Sequence, residues 1–189
     1  MSDRVSALVG ASASGTVQVS EAGLVGMITI RGDLDEAGFQ SGISEVTGVS
    51  VPEARQIVGE DVKLAWMSPA ELLLICDHGE AEAKVAALST AMAGRHHMAV
   101  NVSDARAVFT LEGDGAAIRE VLAKLTPADL RPGAFGSGEV RRTRLAQVPA
   151  AFWLDGEGKA TVVCFRSVAE YVFGLLRNAS ENGSEVGYF

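Results

Sequence analysis

The stretch that decides the fold is AVNVSDARAVFTLEGDGAAIREVLAKL, residues 99–125. Residues 107–111 alternate in the way that suits a half-buried strand, and a turn follows over residues 112–115. Apolar side chains then recur at the three- and four-residue spacing of an amphipathic helix, at Ile118, Val121, Leu122 and Leu125. The stretch therefore predicts a strand, a turn and a helix in succession.

The same phrase occurs earlier, as the strand MITIRGD (residues 27–33) followed by a helix that carries Phe39, Ile43 and Val46. The two copies keep a constant offset at first, because Gly113 lies 81 residues after Gly32 and Leu145 lies 81 after Leu64. Later the offset is 88, between Cys76 and Cys164 and between Leu88 and Leu176. We therefore predict an internal duplication, with the additional residues of the second half placed around the hairpin 151–159.

Each half reads strand, helix, two or more strands, helix. Two such halves, about 23–98 and 99–178, are expected to pair around a pseudo-twofold axis as a single α+β domain over residues 23–178. Residues 1–22 are rich in Ser, Gly and Ala and predict a flexible N-terminal arm. Residues 179–189 are expected to form a flexible C-terminal tail.

Composition excludes several classes of function. The chain has 189 residues, a net charge of -8 and a pI of about 4.9, which argues against binding to nucleic acid or to an anionic membrane surface. With 48% hydrophobic residues and a mean hydropathy of +0.20, the chain needs either a large core or a partner that covers apolar surface. Two cysteines in apolar strands, no export signal and no apolar run of membrane-spanning length indicate a cytoplasmic protein.

No catalytic, cofactor-binding or metal-binding constellation is found in the sequence. The glycine-rich segment 133–138 precedes a strand rather than a helix, so it is expected to be a flexible connection and not a phosphate loop. His96 and His97 are adjacent and would point to opposite faces of a strand, which does not suit a shared metal ion. Neither cysteine has the neighbours that an activated nucleophile needs.

Basic residues cluster in this otherwise acidic chain, and they are the candidate site. On a strand, Arg142 and Arg144 would share one face, with Arg141 opposite. Either they form a solvated face with local ion pairs, or they contact an acidic partner or an anionic ligand. Aromatic residues often anchor protein interfaces, so Phe135 and Tyr171 are added to these arginines as candidates. The predicted partner interface therefore consists of Arg131, Phe135, Arg142, Arg144 and Tyr171.

An ordered set of short motifs resembles the gamma subunit of heterotetrameric sarcosine oxidase. The motifs are WMSPAELLL (66–74), NVSDAR (101–106), RPGAF (131–135), TRLAQ (143–147) and RSVAEY (166–171). The resemblance covers about residues 22–180. It implies a non-catalytic, structural subunit that packs on the alpha subunit and also belongs with beta and delta subunits.

The resemblance further implies the chemistry of the whole complex. Such an enzyme demethylates sarcosine oxidatively to glycine and yields hydrogen peroxide with formaldehyde or 5,10-methylenetetrahydrofolate. Its FAD, FMN, NAD and zinc are expected on the other subunits, with no cofactor in this chain.

The central motif is also similar to the folate-binding domain of the glycine-cleavage aminomethyltransferase, which implies a folate-binding-domain-like fold. That family has an Asp-x-Ser phrase where this chain has Asn101-Val102-Ser103. Two alternatives therefore stand beside the structural subunit. One is a stand-alone tetrahydrofolate-binding protein, and the other is a folate-dependent transferase, for which Asp104 is the nearby carboxylate.

Overall fold

The structure is a computed structural model that describes residues 4–189 and divides them into two compact units. The middle unit is Leu24–Asp104, and the flanking unit consists of residues 4–23 together with Ala105–Phe189. Each unit combines one antiparallel sheet with two helices, which confirms the predicted α+β class. Residues 1–3 of the predicted arm lie outside the described residues.

Residues 4–189 form eleven strands and four α-helices. The strands are β1 (Ser12–Ser14), β2 (Val17–Glu21), β3 (Gly26–Gly32), β4 (Ile57–Val58), β5 (Lys63–Ser68), β6 (Glu71–Cys76), β7 (His97–Asn101), β8 (Arg106–Gly113), β9 (Val140–Leu145), β10 (Val148–Leu154) and β11 (Lys159–Phe165). The helices are α1 (Ala37–Thr47), α2 (Ala81–Ala91), α3 (Gly115–Ala123) and α4 (Ala169–Ala179). None of these helices has the length and apolarity that a membrane span requires.

The middle unit has the strand order β4-β5-β6-β3-β7. Its core lies between this sheet and the helices α1 and α2, and includes Ile28, Ile30, Phe39, Ile43, Leu72, Leu74 and Leu88. Helix α1 ends at Gly48, whose φ of 71° gives the left-handed conformation of a C-terminal cap. It begins at Glu36, whose carboxylate accepts from the backbone N–H groups of Gly38 and Phe39.

The flanking unit has the strand order β1-β2-β8-β11-β10-β9. Its core lies between this sheet and the helices α3 and α4, and includes Val19, Phe109, Leu111, Ile118, Leu122, Phe152, Val162 and Leu176. Asp114 caps α3 by accepting from the N–H groups of Ala116 and Ala117. The strand and helix predicted from the opening stretch are thus β8 and α3.

The two units repeat one order of elements, as the sequence predicts. The middle unit reads β3-α1-β4-β5-β6-α2, and the flanking unit reads β8-α3-β9-β10-β11-α4. Corresponding strands occupy corresponding places in the two sheets. Leu64 lies in β5, whereas Leu145 lies in β9, the counterpart of β4, so the predicted equivalence of these two leucines was wrong. Some of the additional residues of the second copy therefore precede β10 instead of lying around the hairpin 151–159.

The N-terminal segment differs from the expected flexible arm. Strand β2 pairs with β8 from Val17↔Gly113 to Glu21↔Phe109, and the side chains of Val17 and Val19 are buried. The N–H of Thr16 donates to the carbonyl of Ser180 at 2.7 Å, just beyond the end of α4. The alternation at Val17 and Val19 is short, and the Ser, Gly and Ala around it resemble a loop in composition.

The boundary between the units also differs from the predicted division at residue 99. Strand β7 follows α2 and pairs with β3, so it belongs to the middle unit. The opening stretch therefore contains the last strand of the middle unit and the first repeated strand of the flanking unit.

The C-terminal residues contact the flanking unit instead of extending freely from it. The carboxylate of Glu120 accepts from the backbone N–H groups of Val186 and of Gly187, the latter at 2.8 Å. These hydrogen bonds, led by that of Val186, hold the pKa of Glu120 below its ordinary value. Phe189 packs partly buried against the core. The expected flexible tail over 179–189 thus has specific attachments.

We predict that Gly15→Ala lowers the free energy of unfolding by about 1–3 kcal/mol, because the new Cβ would overlap the structure near it. That Cβ would lie 1.8 Å from the carbonyl oxygen of Ser180. Gly174→Ala in α4 is the matched control, because no heavy atom lies within 4 Å of its new Cβ. The control should be neutral or stabilising by up to ~1 kcal/mol. Urea unfolding measures both, and equal midpoints for Gly15→Ala and wild type would contradict the contact.

Candidate functional site

The segment Asn101–Asp104, at which the resemblance would place a pterin anchor, lies at the end of β7. The Oδ1 atom of Asn101 accepts from the N–H of Ser103 at 3.0 Å and from its hydroxyl at 2.6 Å. The Nδ2 atom donates to Glu82 Oε1 at 2.7 Å. Ser103 is buried, and its Oγ accepts from the N–H of Met27 at 2.9 Å. The segment ties β7 to β3 and to α2.

These contacts use both ends of the Asn101 amide. A carboxylate only accepts hydrogen bonds, whereas Asn101 must donate one to Glu82. The residues present therefore do not fit a carboxylate anchor for a pterin, and the geometry instead serves the packing of the middle unit. Asp104, the last residue of this segment, is exposed.

The three arginines of β9 lie on opposite faces of the strand and differ in their exposure. Arg142 and Arg144 are exposed on one face of this edge strand, and Arg141 lies on the other, as the alternation predicts. Arg141 donates to the carbonyl of Ala134 at 2.6 Å, and its guanidinium lies 4.9 Å from the centroid of the Phe135 ring. Arg141 therefore fastens the loop that precedes its own strand.

Phe135 is buried, which makes its assignment to a partner interface wrong. Its side chain is only 1% exposed, and its ring meets Phe152 edge to face with the centroids 5.5 Å apart. Arg119 donates to the carbonyls of Leu130 and Phe135, at 2.5 and 2.9 Å. The glycine-rich composition of the loop predicted flexibility, but one aromatic side chain and two arginines fix it onto the core.

Arg131 and Tyr171 remain on the surface with the two exposed arginines of β9. Arg131 forms a bidentate ion pair with Asp129, with Nε–Oδ1 at 3.0 Å and Nη2–Oδ2 at 2.6 Å. This pairing lowers the pKa of Asp129 to about 2. Tyr171 is 46% exposed on α4. The four surface residues thus belong to three elements: a loop, an edge strand and a helix.

The thiols and possible metal ligands give no reactive site within residues 4–189. Burial raises the pKa of the Cys164 thiol to about 12 and also raises that of Cys76. Both cysteines are free and buried. In this part of the chain, no three His, Cys, Asp or Glu side chains are grouped so that they could hold a metal ion.

A groove lies between α1 and α2, and no sequence pattern had predicted it. It has a volume of about 650 Å³ and is lined by Glu45, Val46, Glu80, Ala83, Lys84, Ala87, Thr90 and Ala91. The available signal was the spacing of Ala83, Ala87 and Ala91, which places three small side chains on one face of a helix.

Comparisons with known proteins identify one family. The model of the sarcosine oxidase, gamma subunit family matches residues 31–182. The chain is 32% identical over 184 residues to sarcosine oxidase subunit gamma of Corynebacterium sp. (strain P-1), which covers 95% of this chain and 88% of that relative.

Solved structures agree with this match. The fold resembles a chain of heterotetrameric sarcosine oxidase from Corynebacterium sp. U-96, solved in complex with pyrrole 2-carboxylate, with a TM-score of 0.78 and 28% identity. That match covers 89% of this chain and 87% of the other. Glycine cleavage system aminomethyltransferase T from Bartonella henselae matches with a TM-score of 0.58 at 16% identity, over 86% of this chain and 46% of the other. The latter likeness concerns the fold alone.

We predict that Arg131→Ala raises the pKa of Asp129 from about 2 toward its ordinary 3.8, because the ion pair is lost. A depressed carboxyl pKa stabilises the fold above the unfolded pKa, and this contribution disappears as the pH falls from about 3.8 through about 2. A carboxyl-carbon NMR titration measures the pKa in both proteins. Arg144→Ala is the control and should leave it unchanged; a low pKa in Arg131→Ala would contradict the assignment.

We predict that Asn101→Asp destabilises the middle unit by roughly 1 kcal/mol, because the new carboxylate cannot donate to Glu82. Adding Glu82→Gln should restore most of the loss, since glutamine can donate to the aspartate. Urea unfolding of the single and double variants measures the effect. Equal stability of Asn101→Asp and wild type would show that the 2.7 Å contact between Asn101 and Glu82 contributes nothing.

Proposed function

Because this chain belongs to the sarcosine oxidase gamma subunit family, we propose that it is a non-catalytic, structural subunit of a heterotetrameric sarcosine oxidase. The observation that carries the proposal is the match to a chain of the heterotetrameric enzyme over 89% of this chain, with a TM-score of 0.78. The partners are then the other subunits of that complex, which we assign as alpha, beta and delta, with alpha contacted most directly.

The proposed complex converts sarcosine to glycine by oxidative demethylation. The products are hydrogen peroxide with formaldehyde, or 5,10-methylenetetrahydrofolate when folate is present. FAD, FMN, NAD and zinc are assigned to the other subunits, and the complex is assigned to the cytoplasm. No step of the reaction is assigned to a side chain of this subunit.

Local geometry supports a structural role over folate binding by this chain. The amide of Asn101 is engaged with Ser103 and Glu82, and it replaces the acidic residue of the aminomethyltransferase phrase. The exposed residues Arg131, Arg142, Arg144 and Tyr171 are proposed to contact partner subunits. Arginine and tyrosine combine charge or a polar tip with a large contact area, which suits a protein interface.

We predict that tagged wild-type chain, expressed with the other three subunits, purifies as a four-subunit complex with flavin absorbance. Asp104→Ala should assemble equally and turn over sarcosine within about twofold of wild type, because the proposed structural role gives this exposed carboxylate no part in stabilising the transition state. Subunit composition, absorbance and initial rates measure these outcomes.

Two results would contradict the proposal. A colourless, single-chain product would remove the structural-subunit assignment, and titration of the isolated chain with tetrahydrofolate would then test a stand-alone binder. An intact Asp104→Ala complex with a large loss of turnover would instead give this subunit a part in catalysis.

A further inference from the structure

The groove between α1 and α2 is a concave, mostly apolar surface of the middle unit. Val46 of α1 lies on one side, and Ala83, Ala87 and Ala91 of α2 lie on the other. Ala83 and Ala87 are exposed, although they face a neighbouring helix across the groove. Helix α2 therefore presents apolar surface away from the core as well as toward it.

The helices α1 and α2 approach closely at Gly42, at one end of the groove. At Gly42 the backbones approach each other, so that an added Cβ would lie 3.0 Å from Met92 Cγ and 3.4 Å from the carbonyl oxygen of Ala91. One turn further along α1, Val46 faces alanines that are too short to fill the space. The result is a groove of about 650 Å³.

The lining of the groove has a net negative charge, because it includes two glutamates and one lysine. Glu45 lines the α1 side and Glu80 lies at the entrance to α2. Lys84 pairs with Glu80 at 3.4 Å, whereas Glu45 takes part in none of the ion pairs formed within residues 4–189. The middle unit holds 12 of the 24 acidic residues and only 5 of the 16 Lys and Arg residues, so it carries seven of the eight net negative charges.

We propose that this groove is the docking site for an amphipathic helix of another subunit of the complex. Leucine or methionine side chains of that helix would fill the space between Val46 and Ala87, and a lysine or arginine beside them would pair with Glu45. A third helix is the shape that fits a groove between two helices, and the acidic side chain selects a basic partner. The inference rests on the proposed function, since it requires a partner subunit.

Two groove variants and two matched controls test this proposal in the four-subunit complex. Ala87→Trp fills the groove, and Ala86→Trp places the same side chain on an exposed position of α2 outside it. Glu45→Lys reverses the charge at the groove, and Glu53→Lys makes the same change at an exposed position of the middle unit away from it. Binding of each purified chain to the other three subunits is measured by titration at low and high salt, after circular dichroism confirms folding.

We expect each of Ala87→Trp and Glu45→Lys to weaken assembly by about tenfold or more, because the first blocks the space for the docking helix and the second replaces attraction of its basic residue by repulsion. The controls should match wild type, and the defect of Glu45→Lys should shrink at high salt. If Ala87→Trp does not fold, Glu45→Lys still decides the question, because it changes an exposed side chain. Wild-type affinity in Glu45→Lys and in any folded Ala87→Trp would overturn the proposal.

Two further outcomes are distinguishable. A dimer of the isolated chain that Ala87→Trp abolishes would make a second copy the occupant and would overturn the proposal. Failure of wild type itself to assemble with the three subunits would instead overturn the proposed function.

Discussion

The rest of the flanking unit depends on the antiparallel ladder between β8 and β11. It pairs seven residues on each strand, from Arg106↔Phe165 to Glu112↔Lys159, and both strands have a further neighbour in the sheet. This central position gives Phe109 and its neighbours a continuous apolar surface, against which the helices pack. Phe173 of α4 lies over Phe109 with the ring centroids 6.0 Å apart. The pairing of β3 with β6 has the same position in the middle unit.

The elements that could be predicted from the sequence are those in which the apolar periodicity agrees with the turn residues at their ends. Strand β8 and helix α3 have clear apolar spacing, and both form where that spacing predicts them. Strand β2 was missed because a pair of valines among small polar residues looks like a loop, and its pairing with β8 depends on residues far away in the chain. Phe135 was misjudged for a related reason, since only the fold shows that Arg119 and Arg141 hold its loop against the core.

At Asn101, an amide nitrogen in place of a carboxylate oxygen changes the hydrogen bonds that the end of β7 can form. The resemblance to a folate-binding domain directs attention to this position, and the fold likeness to an aminomethyltransferase agrees with it. An amide in place of a carboxylate supplies a donor as well as an acceptor, and here the donor reaches Glu82 of α2. The side chain of Asn101 thus links β7 to α2 by a hydrogen bond. The groove could not be predicted from alanine spacing alone, because its depth depends on how closely α1 and α2 approach at Gly42.

The participation of β2 in the flanking sheet has a consequence for the order of folding. The middle unit is continuous from Leu24 to Asp104, so all its strands have been synthesised before the flanking unit has its central ladder. Strands β1 and β2 are made first and pair with each other, but β2 joins the rest of the sheet through β8, and Val19 and its partner Leu111 lie 92 residues apart. Closing so long a loop is slow compared with local pairing. During synthesis, Val17 and Val19 of β2 can therefore be covered by the sheet only after β8 has been made, which is after the whole middle unit.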